Sequence, residues 1–587
     1  MSFPRFRFGG GSKGEATTTT VVRNTTEISD GNLTYVAEQG GNDSLPSYQE
    51  AVGAPVEKNS PFGYAVGPVT IIFLNISKMV GTGVYSTPSA ILAGTGSIGL
   101  SLIFWFIGFV ISLSSLAVYL EYASYFPNRS GSEVVYLEQA YPRPRYFFPI
   151  AFAVQSVILS FSSGNSIVLA KYLFAMNGHT PTDWELKGVA IAGYTVATLL
   201  LAFHTRFSYM LSNGIGLVKL LTLIFIAITG FVVLGGNTKV EDPKINFEDS
   251  FAGAATAYGA TNAMYKIVFS YAGFENAFNV VNEVRNPVKK LKTHAFIALT
   301  IVAILYILAN VAYFAAVPKA ELLASKEISA ALFFKHALGS SGAVKGLNFL
   351  IALSSFGNLI AVLLGSSRLV RECGRQGVLP FPIFWASTRP FGTPLGPYFI
   401  KWFLTIVMIL GPPAGDAFNF IVDLQVYPAS MFTLAMAIGL LLVRRSRRRL
   451  NLPRSEFRAW DVVVYFNILV QLYLVVMPWY PPATGKYGGD VSFWYGTYIV
   501  LGIAIIAICG LYYIAWIYVL PRLWKYRVRQ EVIVLEDGAQ THALVKIPLH
   551  ELAEWEATHD ASGRKLNSDS GSNKKVGQEL VSEGEKA

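Results

Sequence analysis

The sequence predicts an all-α membrane protein of twelve transmembrane helices, on the strength of its composition, its apolar runs of spanning length, and two of those runs that glycine and proline interrupt. Of 587 residues, 52% are hydrophobic and only 14% charged, whereas a soluble domain carries about one quarter charged residues. Stretches long enough to cross a bilayer, about 17 to 28 residues, fall near 66–93, 98–124, 147–176, 187–204, 211–234, 258–282, 293–316, 345–374, 395–411, 416–443, 459–479 and 493–520.

Residues 1–65 are rich in Gly, Ser, Thr, Asn and Glu with few large aliphatics, which predicts a disordered tail with no cleavable signal. The first span then serves as its own insertion signal. Lys and Arg are concentrated in the loops that lie inside if the N-terminus is cytosolic, so both tails are predicted cytosolic. The run Arg444, Arg445, Arg447, Arg448, Arg449 is the strongest such marker, held at the inner leaflet by anionic lipid. On that side the glycosylation sequons at Asn24 and Asn32 go unused. Residues 66–443 are expected to form a ten-helix core. Residues 444–520 form a basic loop and two accessory helices, and 521–587 a second cytosolic tail with a short helix near 549–558. The net charge of +10 is explained by the juxtamembrane clusters, so nucleic acid is excluded as a partner. Cys373 and Cys509 are the only cysteines, which makes a disulfide framework or metal site unsupported. No nucleotide loop, metal-ligand spacing or nucleophile elbow points to an enzyme, and no cofactor is implied.

Function is concentrated at the two interruptions. Gly81-Thr82-Gly83-Val84-Tyr85-Ser86-Thr87-Pro88 breaks the first span, and Phe269-Ser270-Tyr271-Ala272-Gly273-Phe274-Glu275-Asn276 breaks the sixth. An unpaired peptide group in lipid costs several kcal/mol, so a helix opens at bilayer depth only against protein or a polar cavity. Paired breaks five spans apart point to a 5+5 inverted repeat with its site at the repeat interface. The alternative is that these glycines only allow close helix packing. For a charged solute, the amides at Thr82 and Gly83 and the Thr82 hydroxyl are candidate donors to a negative group. Carbonyls near Met79, Val80, Phe269, Ser270 and Ala272 are candidate acceptors for a positive one. Phe269 is a candidate gate, and Tyr271, Phe274 and Asn276 candidate pocket walls. With no fixed charge clearly awaiting a charged side chain, a neutral substrate is favoured.

At these residues, and at Ser354-Ser355-Phe356-Gly357-Asn358, Gly365-Ser366-Ser367-Arg368-Leu369, Arg375, Gly377, Leu379 and Pro380, the chain resembles the amino acid–polyamine–organocation superfamily. Within it, the resemblance is to L-type amino-acid transporters and fungal methionine permeases, over about residues 66–520. It implies the inverted-repeat core of the bacterial leucine transporter, with discontinuous helices one and six. It also implies that Lys219 occupies the cation position of sodium-coupled relatives, as a proton-exchanging group or a permanently charged strut, with Ser366 and Ser367 as neighbours. Lys78 either pairs with an acid at a cytosolic gate or snorkels. Glu275 either titrates in proton coupling or accepts hydrogen bonds from unwound backbone. Arg368 anchors lipid or a gate. The function implied is import of neutral amino acids, methionine foremost, by proton symport across the plasma membrane. An obligate exchanger and a non-transporting sensor stand as alternatives. Residues 177–186 lack the cysteine by which animal light chains bond a heavy chain, so no such partner is expected. Leu45-Pro46-Ser47-Tyr48 resembles a degenerate ligand for ubiquitin-ligase WW domains, with Lys13 and Lys58 as acceptors.

Overall fold

The computed structural model describes residue 62 and residues 64–559, apart from 128, 160–161, 204, 237, 239, 241, 325–328, 340, 412–416, 450–454 and 536–539. The sequons, the WW-ligand motif, Lys13 and Lys58 lie outside the described residues. Helices α1 (Pro68–Met79) and α2 (Pro88–Thr95) flank a one-turn helix, Gly83–Ser86. They are followed by α3 (Ile98–Tyr125), α4 (Glu133–Ala140), α5 (Phe147–Ile158), α6 (Ser163–Met176), α7 (Asp183–Phe203) and α8 (Thr205–Leu234). After α9 (Ala257–Tyr271) a 3₁₀ segment, Asn276–Glu283, leads to α10 (Pro287–Ala316), α11 (Ser341–Arg375), α12 (Leu395–Leu410) and α13 (Ala417–Arg449). Last come α14 (Asp461–Val476) and α15 (Thr497–Ile514), a hairpin of β1 (Tyr526–Val534) and β2 (Gln540–Pro548), and α16 (Leu552–Thr558).

Among the described residues, ten helices are long and apolar enough to cross a membrane, not the twelve expected. The two shortfalls have a physical cause. The sixth apolar run is divided by its break, leaving α9 with 15 residues, and α12 has only 16. Residues 444–449, read as a loop, continue α13, which ends in the arginines.

The all-α expectation fails at the C-terminal tail. β1 and β2 pair antiparallel from Tyr526↔Pro548 to Val534↔Gln540, in segments rich in β-branched residues, as strands prefer. The hairpin docks on the end of α11. Gly377 has φ +73°, and a Cβ there would lie 2.7 Å from the His542 carbonyl oxygen, so only glycine fits. The Thr541 hydroxyl donates to the Arg375 carbonyl at 3.4 Å, and the Tyr146 hydroxyl to Gln530 at 3.2 Å. Phe62, before α1, lies under the Arg368 and Arg371 guanidinium groups near the same end of α11. Both described ends of the chain therefore meet on one side of the helix bundle, the terminal face.

Both expected interruptions are present. α1 ends at Met79, Val80 leaves helical geometry with φ −76° and ψ 75°, and the chain rewinds at Gly83. α9 ends at Tyr271, Ala272 is extended, and Gly273 has φ +136°, which L side chains rarely adopt. α1 packs against α8, α10 and α11, while α9 packs against α2 and α3, so protein surrounds both openings.

Candidate functional site

The breaks meet. A Cβ on Gly83 would lie 2.5 Å from the Ser270 hydroxyl oxygen and 2.8 Å from Ser270 Cα. One on Gly273 would lie 2.6 Å from the Met79 amide nitrogen. The carbonyls freed at the first break find partners from three helices. The Lys219 ammonium, from α8, donates to the Ser77 and Val80 carbonyls, each at 2.7 Å. The Tyr306 hydroxyl, from α10, donates to Met79 at 2.6 Å and to Ser270 at 3.0 Å, tying the two openings together. Asn358, from α11, donates to the Lys78 carbonyl at 2.5 Å. Lys219 is 1% exposed, and its carbonyl partners supply the polar contacts a buried ammonium requires.

Beside the breaks lies a cavity of about 370 Å³, a size suited to a small solute. Met79, Thr82, Gly83, Phe269, Ala272, Phe274, Lys78, Glu275 and Ser366 line it, all singled out from the sequence. Phe269 packs edge-on to Phe418 of α13, with ring centroids 6.1 Å apart. Lys78 and Glu275 form an ion pair at 2.6 Å, and the Gly273 amide donates to the other Glu275 oxygen at 2.8 Å.

Six expected residues lie elsewhere. Val80 is buried, its carbonyl taken by Lys219. The Ser270 hydroxyl donates to the Lys266 carbonyl at 2.7 Å, and its own carbonyl accepts from Tyr306. Tyr271 turns away, its hydroxyl donating to the Trp105 carbonyl at 3.1 Å. Asn276 bridges the Leu74 and Ala361 carbonyls at 3.2 and 3.0 Å, so it braces helices instead of walling a pocket. Lys219 lies behind the first break and contacts the unwound backbone, not the cavity. Ser366 and Ser367 are not its neighbours. Gly357 faces Lys219 at that level of α11, and nine residues further is about 13 Å along a helix. Ser366 closes on the Val362 carbonyl, and Ser367 donates to Leu364 at 3.0 Å.

Arg368 does not anchor lipid. It is 2% exposed, bonds Glu283 at 3.2 Å and the Tyr398 hydroxyl at 3.0 Å, and lies over the Phe62 ring. Arg444 is likewise buried instead of facing lipid, bonding both Glu121 oxygens at 2.8 and 2.6 Å and Asp461 at 2.5 Å.

Three features of the site were missed from the sequence. The third apolar run contains a helix end, α5 stopping at Ile158 and α6 starting at Ser163, and Gln155, Ser162, Gly164 and Asn165 from this region line the cavity. The Asn165 side-chain oxygen accepts from the Thr82 hydroxyl at 2.8 Å, committing the hydroxyl assigned to a carboxylate. Lys401, on α12, lines the cavity while only 2% exposed. Asn358 and Tyr306 close the first break. The polar run Ser160-Phe161-Ser162-Ser163-Gly164-Asn165-Ser166 and the lone lysine in an apolar α12 were the available signals. Among the described residues no three His, Cys, Asp or Glu side chains gather to hold a metal, and both cysteines are free and buried.

Helices opened against each other beside a cavity lined by both apolar and polar side chains, inside a bundle of membrane-spanning length, define a membrane carrier for small solutes. The chain belongs to the amino acid permease family, whose sequence profile matches residues 66–506, and it is a transporter and not an enzyme. It is 35% identical over 486 residues to the high-affinity methionine permease of Saccharomyces cerevisiae, covering 82% of this chain and 84% of that one. It is 28% identical over 499 residues to the low-affinity methionine permease of the same yeast, covering 83% and 89%. With the b(0,+)-type amino acid transporter 1 of Mus musculus it shares 28% identity over 425 residues, covering 70% and 82%.

Proposed function

We propose that this permease imports neutral amino acids, methionine foremost, by proton symport, alternating access to one cavity between the faces of the plasma membrane. The observation that carries the reading is the pair of touching helix breaks beside the cavity, with Gly83 and Ala272 on its wall. The Gly83 end of the rewound helix offers positive dipole to the substrate carboxylate, and the Met79 and Phe269 carbonyl regions offer acceptors to its ammonium. The similarity to two methionine permeases supports the substrate. Both described ends lie on one face, which requires an even number of crossings. Counting α9 with its 3₁₀ continuation and α12 as crossings makes twelve, arranged as a 5+5 inverted repeat and two accessory helices. The excess of Lys and Arg on the terminal face makes it the cytosolic one. The cysteine-free segment 177–186 and the two buried thiols fit a permease without a disulfide-linked heavy chain.

Proton coupling is assigned to Lys219, whose ammonium holds the first break together through two carbonyls. Loss of its proton leaves two N–H groups but removes the charge that strengthens both bonds, which loosens the hold on α1 and links protonation to access. Ser366, Ser367 and Glu275 drop to secondary roles, since the serines bond their own helix and Glu275 is engaged by Lys78. The test is labelled methionine uptake at varied external pH. Lys219→Met is expected to reach the cell surface and lose acid-stimulated accumulation. Full pH-dependent accumulation by that variant removes the coupling role, and no methionine uptake by the wild type removes the substrate.

A further inference from the structure

The loop between α14 and α15 lies across the seam between α9 and α13. α15 leads into the hairpin on the terminal face, so its first residue and the loop before it belong to the opposite, outer face. Lys266 sits one turn before the second break, its carbonyl accepting from the Ser270 hydroxyl, and its side chain is fully buried. Its ammonium bonds Asp423 of α13 at 2.8 Å, Asp490 of the loop at 3.2 Å and the Asn419 carbonyl of α13 at 3.5 Å. Three separate parts of the chain thus converge on one ion cluster. Aromatic contacts fasten the loop to both helices as well. Phe493 packs edge-on to Phe420 of α13, with ring centroids 5.4 Å apart, and Tyr495 packs edge-on to Tyr258 of α9 at 5.9 Å. A Cβ on Gly489 would lie 2.8 Å from the Tyr258 hydroxyl oxygen, an approach that glycine permits. The Asn419 side-chain amide donates to the Asp490 carbonyl at 3.4 Å.

The same two helices wall the cavity. Val268 and Phe269 of α9 and Ile421, Gln425 and Val426 of α13 line it, and the Phe269–Phe418 contact joins one helix to the other. The cavity extends the opposite way, to Leu369 and Val370 near the terminal end of α11. Passage from the outer face between α9 and α13 therefore requires the seam to part. Two carboxylates share one buried ammonium there, and the closed seam is what brings them together. Once it opens, water replaces the lost partners, so the cluster holds the closed state without stranding a charge in the open one. We propose that residues 480–496 form an outer lid of the cavity, latched across the seam between α9 and α13 by Lys266, Asp423 and Asp490. This inference rests on the permease reading of the cavity and adds to it the step that admits substrate. It also gives α14 and α15 a task in the cycle, since they carry the two ends of the lid.

Val268→Cys places a reporter thiol on the cavity wall, and both native cysteines are buried. The experiment measures, on intact cells, how fast a membrane-impermeant methanethiosulfonate labels that thiol from outside. The reporter is carried by otherwise wild-type protein, by Lys266→Met, by Lys266→Met with Asp490→Asn, and by Phe493→Ala, compared at equal surface abundance. Lys266→Met leaves two carboxylates together without their cation in the closed state, so labelling should quicken about tenfold or more. Adding Asp490→Asn removes the repulsion from the loop and should recover part of the slow rate. Phe493→Ala loosens the lid without touching its charges, and labelling should again quicken about tenfold. An unchanged rate in either Lys266→Met or Phe493→Ala overturns the lid, and if Lys266→Met is not delivered to the surface, Phe493→Ala decides alone. A faster rate in Lys266→Met that Asp490→Asn leaves as it is separates the loop from the latch and also overturns the proposal. Methionine in the medium should slow labelling in every case. Labelling indifferent to methionine throughout removes the permease reading of the cavity, and it leaves the rate differences that test the lid intact.

Discussion

Glu138 shows at the residue scale how position changes chemistry. It lies on α4, outside the membrane-spanning helices, and burial pushes its carboxyl up to about 7 against the pull of Arg129 and Gln376, with Glu372 adding to the rise. The folded protein therefore holds a proton there that the unfolded chain releases near the ordinary carboxylate range. The stability this contributes is complete below that range and is lost as pH rises through about 7. Thermal unfolding of detergent-solubilised protein should show a midpoint that falls between about pH 5 and pH 8. Glu138→Gln should flatten that fall, and an equally steep fall in the variant would assign the pH dependence elsewhere. Gly83 makes a steric demand instead. Gly83→Ala drives a methyl group into Ser270, including its backbone, an overpacking of about 1 to 3 kcal/mol. Methionine uptake should drop about tenfold or more at equal surface abundance, and normal uptake would mean the two breaks are free to separate.

Elements meet through the ion pair of Lys78 and Glu275, which joins the end of α1 to the segment after α9. Its side chains are 19% and 14% exposed, so each charge depends on the other for much of its stabilisation. Lys78→Met and Glu275→Gln should each destabilise the protein, and the double variant should lose less than the sum, by about 0.5 to 3 kcal/mol. Strict additivity in thermal unfolding would mean that the two side chains do not act as a pair. The breaks at this level were legible in the sequence because glycine and proline lack the constraints or the amide that a helix needs. The end of α5 was not. Serine and asparagine are tolerated in apolar helices, and here their effect depends on Thr405 and Thr82, which arrive from distant parts of the chain. The register of α11 was similarly hidden, since the serines named from the resemblance lie well along the helix from the level that faces Lys219.

For the molecule as a whole, Arg444 fastens the accessory helices to the core. It joins α13 to Glu121 of α3 and Asp461 of α14, and also donates to the Ala459 carbonyl at 2.7 Å. Glu121 is fully buried, so Arg444→Met leaves a carboxylate without its cation, a loss of about 3 to 5 kcal/mol. The expected outcome is loss of the single species on size-exclusion chromatography. The added substitution Glu121→Gln should recover part of it, because it removes the stranded charge. A stable Arg444→Met variant would return the arginine to the role read from the sequence, lipid contact.

The sequence by itself determined that this chain is a membrane transporter opened at two helices, because composition and helix-breaking residues act locally and leave a readable pattern. Its motifs likewise led to the amino acid permease family. Only the tertiary structure decided which freed carbonyls are already answered, which aromatics face the cavity, and that Ser162 and Lys401 belong to its wall. Those outcomes depend on helix rotation and on partners more than a hundred residues apart, such as Lys219 and Ser77. A hydrogen bond between distant segments leaves no periodic trace in either one.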